Sequence, residues 1–119
     1  MSSRPATRCP YHYEYGEEEW LVVLTGRPTL RHPDGEDTLE PGDIVAFPVG
    51  PAGAHKVTNH SQETVRVMML STIERCGVVV YPDSDKILAY GDNPDDRILV
   101  RRESNLGDDG YWLGETPAD

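Results

Sequence analysis

Four side chains able to hold a metal ion or move a proton stand at telling positions: His12, Glu14, Glu19 and His55. His12 and Glu14 are two residues apart. In an extended strand that spacing sends both to one face, whereas on a helix it would set them about 200° apart. Tyr11, Tyr13 and Tyr15 would then share the opposite face. Glu19 sits at the mouth of the next extended run, where alternation groups it with Leu21, Val23 and Thr25. One imidazole and two carboxylates converging in an interior cannot all keep their charges, so they must take up protons or share a divalent cation. Taken singly, Glu17-Glu18-Glu19 also reads as a solvated acidic turn. His55, which comes after a loop rich in Gly and Pro, also reads as a hydrogen-bonded structural residue. The joint occurrence of both stretches in order favours a shared site.

The elements that would position these groups are strands. No segment sustains the i, i+3, i+4, i+7 apolar pattern of a helix over three turns, while extended candidates recur at roughly ten-residue spacing. They cover residues 20–25, 29–32, 44–47, 55–58, 65–71, 78–81, 86–90 and 98–101. Pro33-Asp34-Gly35, Pro41-Gly42-Asp43 and Asn59-His60-Ser61 read as turns between them. Residues 48–53 can only be a loop. The residues after Arg101 are polar except for Tyr111-Trp112, a pair whose apolar surface is expected to dock on its own barrel or on a second copy.

The 119 residues suffice for one core, which predicts a single domain over 1–119, with a barrel at about 10–101 and a tail at 102–119. A net charge of −10 disfavours nucleic acid and anionic membrane surfaces, because such partners are bound by Lys and Arg. There is no apolar run of membrane-spanning length and no signal-like N-terminus, so the expected location is the cytosol. Cys9 and Cys76 form no C-x-x-C pair and are expected as thiols, Cys76 as a small core residue. Cys9, at an odd separation from His12, is expected on the opposite face. His32 and His60 fall in expected turns and should be exposed, and Asn59 should bond within its own turn. Asp83-Ser84-Asp85 lacks the glycine and distal Glu of a calcium loop.

The chain resembles the cupin superfamily. The first motif of that family has the form G-x5-H-x-H-x3–4-E-x6-G. It is matched by His12, by Glu14 in place of the second His, by Glu19 after four residues and by Gly26 after six. Ala6 stands where the motif opens with Gly. The second motif, G-x5-P-x-G-x2-H-x3-N, is matched by Gly42, Pro48, Gly50, His55 and Asn59, with two extra residues between Gly50 and His55. The resemblance implies an all-β fold, a small antiparallel jelly-roll barrel with a C-terminal tail, often dimeric and with a metal inside. By position it implies His12, Glu14, Glu19 and His55 as metal ligands, with Glu14 alternatively a general base beside the metal. Two nitrogens and two oxygens suit Mn²⁺, Fe²⁺, Zn²⁺ or Ni²⁺. The implied activity is a metal-dependent reaction, dioxygenation or isomerisation, on a small oxygen-rich molecule. The competing expectation is a barrel that binds a metal or metabolite without turning it over. Open sheet edges add the expectation of a homodimer, reached through the segment before His12 or the Tyr111-Trp112 tail.

Overall fold

Turn residues punctuate every apolar run, and the segments between them pair as antiparallel strands. The computed structural model describes residues 9–116. Within them lie β1 (Tyr13–Tyr15), β2 (Glu19–Thr25), β3 (Thr29–His32), β4 (Gly35–Thr38), β5 (Ile44–Phe47), β6 (Lys56–Thr58), β7 (Arg66–Ser71), β8 (Gly77–Tyr81), β9 (Lys86–Tyr90) and β10 (Ile98–Arg101). Among these residues the only helical pieces are 3-10 turns of three residues each, and no helix is long and apolar enough to cross a membrane. The expected reach of the N-terminal segment before Cys9 lies outside the described residues, as does Ala6.

Three antiparallel sheets result, ordered β1-β8-β9-β10, β5-β2-β7 and β4-β3-β6. Strand β2 is central to the second sheet. Its alternation buries Leu21 and Val23 completely, and these pack with Leu30 of β3, Leu39 and Phe47 of β5 to form the core. Val45 and Val57 close its margin. The first sheet is tied to the third by one bridge, in which His12 N–H donates to the His55 carbonyl at 3.2 Å and His55 N–H to the His12 carbonyl at 2.9 Å. The architecture is that of the cupin-type jelly-roll barrel.

Some expectations need correction. Cys76 is exposed rather than part of the core, because it sits in the bend before β8. His32 is half-buried as the last residue of β3, and its Nε2 lies 2.8 Å from Asp37 of the neighbouring strand. Tyr111 and Trp112 do not dock on their own barrel but stay exposed, edge to face with each other at 5.4 Å. Strand β7, the longest apolar run, is exposed along both faces as an edge of its sheet.

Candidate metal centre

Backbone pairing decides where the two histidines point. His12 and His55 are directly opposed across the antiparallel bridge, so their side chains leave the sheet on the same face. Their ring centroids are 4.7 Å apart. His55 is additionally fixed by Phe47, whose ring stacks on it at 3.6 Å between centroids and 12° between planes. Phe47 lies opposite Glu19 in the register of β5 and β2, so the strand pair that stacks His55 also delivers the carboxylate.

Each imidazole is also held at its far nitrogen. His12 Nδ1 is 2.8 Å from the Pro10 carbonyl oxygen, and His55 Nδ1 is 2.7 Å from that of Gly53. A carbonyl only accepts, so Nδ1 carries the proton in both rings and Nε2 offers its lone pair inward. Burial pushes the His55 pKa down, and the neighbouring His12 adds to that effect, so the ring favours its neutral, ligating form. Both Nε2 atoms face Glu19 Oε1, at 4.0 Å from His12 and 3.8 Å from His55. These separations are too long for hydrogen bonds. They suit a shared ion, since two atoms each about 2.1 Å from one metal lie roughly 3–4 Å apart. His12, Glu19 and His55 thus bring three ligand atoms within 4.8 Å of one another.

Glu14 lies beside this triad, not within it. It lines the same cavity and shares a hydrogen bond with Glu19. Partial burial, that bond, and the charges of Glu19 and Glu17 raise its pKa from an ordinary 4.5 to about 8. A carboxyl group in this state holds a proton near neutrality. The cavity is about 330 Å³, and its walls include Glu17 and, from β7, Val67 and Met69. Cys9 also lines it, although its odd separation from His12 predicts the opposite face. The reason is that β1 begins only at Tyr13, so alternation does not extend back to Cys9.

Two contributors escape sequence reasoning. Gly53 supplies the carbonyl that orients His55, and it does so from the stretch that lengthens the second motif. A Cβ at Gly53 would collide with the Pro48 carbonyl, so the 3-10 turn Pro51–Gly53 requires glycine there. Tyr90 of β9 reaches Glu17 at 3.4 Å, a partner visible only once β9 is placed. Asn59 bonds within its own turn, its carbonyl oxygen accepting from the Ser61 N–H at 2.9 Å and its amide donating to the Glu63 carbonyl at 2.8 Å.

Comparison with known proteins agrees with this architecture. The model of the cupin domain family matches residues 1–71, more than half of the chain. The chain belongs to the cupin family. Among solved structures, this cupin is similar to a protein proposed as a sugar phosphate isomerase in Acidithiobacillus ferrooxidans, with 32% identity over 80% of the chain and a TM-score of 0.74. A sugar phosphate isomerase of the cupin superfamily from Silicibacter pomeroyi shares the fold, with 23% identity over 85% of the chain and a TM-score of 0.76. The chain spans 59% and 63% of the length of these two proteins. No curated protein sequence matches it.

Proposed function

We propose that this cupin binds one divalent metal ion through His12 Nε2, His55 Nε2 and Glu19, and isomerises a small hydroxy-carbonyl compound of the sugar phosphate class. The observation that carries the reading is the pair of imidazoles whose Nδ1 protons are tied to carbonyls while both Nε2 atoms face Glu19 Oε1. This donor set accepts Mn²⁺, Fe²⁺, Zn²⁺ or Ni²⁺. When bound, the ion would polarise a substrate carbonyl and offset the charge of Glu19.

The remaining chemistry belongs to the chain. Glu14, with its pKa raised to about 8, is the proton carrier. Its carboxylate form takes a proton from the carbon beside the carbonyl and its acid form returns one to the former carbonyl carbon, while the hydroxyl proton passes to the former carbonyl oxygen, so no net proton is transferred. Bound to the ion, Glu14 would instead be a fourth ligand and the second oxygen, and the two roles exclude each other within one step. The cavity of about 330 Å³ lies at the small end for ligand sites and suits a molecule of a few carbons. Likeness to the Acidithiobacillus ferrooxidans protein supports the substrate class. The proposed setting is the cytosol, and the proposed assembly is a homodimer.

The test is to load the protein with each metal in turn, incubate it with aldose phosphates of three to six carbons in D₂O, and follow product and label by NMR. The proposal expects ketose formation with deuterium beside the carbonyl, abolished by Glu14→Gln. Tight metal binding without turnover or exchange on any of these compounds would replace it with a barrel that binds without catalysis.

A further inference from the structure

One face of the β5-β2-β7 sheet buries Leu21 and Val23, so the opposite face should be polar if it meets water. It is apolar instead. Cross-strand register sets Trp20 between Ala46 and Leu70, and Val22 between Ile44 and Met68. Ile44 is 69% exposed, Leu70 49% and Met68 42%. Six apolar side chains therefore form a continuous surface on the outside of the barrel, without a charged group among them. A contiguous apolar surface of this kind marks an interface.

The same chain carries a second uncovered apolar element. After β10, which pairs with β9 at the edge of the first sheet, Leu106, Tyr111, Trp112 and Leu113 are all exposed. The molecule measures 64 × 28 × 26 Å with a radius of gyration of 17.9 Å. A compact chain of this length would have about 13–14 Å. An apolar arm that leaves its own barrel and an apolar sheet face that its own arm does not cover are the two halves of an exchange.

We infer that two copies of this chain pair reciprocally, the arm from Leu106 to Leu113 of each covering the outward face of the other's β5-β2-β7 sheet. Charge supports a second copy as the occupant. Asp108 and Asp109 precede the aromatic pair in the arm, and Arg66 borders the sheet face at the start of β7, so each copy offers the complement of the other in a chain that is otherwise strongly acidic. Area supports it too. Two aromatic side chains bring roughly 150–250 Å² each. With Leu106, Leu113 and the face beneath, each copy approaches the ~800 Å² per partner of a stable interface. Strand β7 takes part in both sites, with Met68 and Leu70 outward and Val67 and Met69 on the cavity wall. The inference specifies the contact of the homodimer proposed above and does not depend on the metal or the reaction.

The experiment is sedimentation of the full chain at micromolar concentration, beside an arm variant (Tyr111→Ser with Trp112→Ser), a face variant (Met68→Glu) and a mixture of the two variants. Circular dichroism checks that each is folded. The wild type should sediment at twice the chain mass of 13.3 kDa. The arm variant, whose changes lie on exposed residues, should weaken the dimer at least ~100-fold. In the mixture, one intact arm meets one intact face, so heterodimer should form more tightly than either variant pairs with itself. A wild type at the chain mass, or an arm variant that dimerises as tightly as wild type, overturns the inference. A mixture that gains nothing over the separate variants overturns reciprocal exchange.

Discussion

Replacing Glu14 with Gln in metal-free protein tests the carboxylate cluster directly. Between pH 4.5 and about 8 the folded protein keeps a proton on Glu14 that the unfolded chain has released. Folding stability attributable to this group is therefore highest below pH 4.5 and is lost as pH rises through about 8. Each unit of such a shift corresponds to about 1.4 kcal/mol, or ~5 kcal/mol over the window without screening. Glu14 is only partly buried, and water weakens these interactions, so about a third of that, ~1–2 kcal/mol, is expected. Gln is nearly isosteric, can still donate to Glu19, and cannot ionise. Urea unfolding with chelator present, from pH 5 to pH 9, should show the wild-type midpoint falling by about 0.5–1 M more than that of Glu14→Gln. Midpoints that run parallel across this range would refute the assignment of a held proton to Glu14. Saturating divalent metal should shrink the wild-type slope, because the ion supplies the charge that the proton otherwise neutralises.

Gly53→Ala should cost about 1–3 kcal/mol of stability in denaturant titrations, because the new Cβ meets the Pro48 carbonyl. It should also weaken metal binding ~10–100-fold by calorimetry, because the carbonyl that holds His55 Nδ1 moves. Leu21→Ala, at a fully buried position beneath the site, should lower stability by about 3–5 kcal/mol in the same titrations while leaving the metal stoichiometry of the folded fraction unchanged.

The strands are legible because Gly and Pro mark their ends and because alternation in β2 separates Leu21 and Val23 from Trp20 and Val22. The shared orientation of His12 and Glu14 needs only local spacing. What spacing cannot supply is the pairing of distant strands. The bridge between His12 and His55, the stacking of Phe47 on His55 and the approach of Tyr90 to Glu17 all depend on register between segments distant in the chain. Cys76 misleads because a small apolar residue beside a glycine reads equally well as core or as bend. The Tyr111-Trp112 pair is readable as apolar surface, yet local sequence does not tell that the pair stays exposed on its own barrel.

The measurement that bears most directly on the central claim is metal content by elemental mass spectrometry. It should be made on protein purified without chelator or nickel affinity and again after reconstitution, beside a His12→Ala, His55→Ala double variant. The account predicts close to one divalent ion per chain in the wild type and a loss of at least ~100-fold in affinity in the folded double variant. An ion retained in the double variant would place the site elsewhere, and a wild type that binds none even after reconstitution would contradict the metal centre itself.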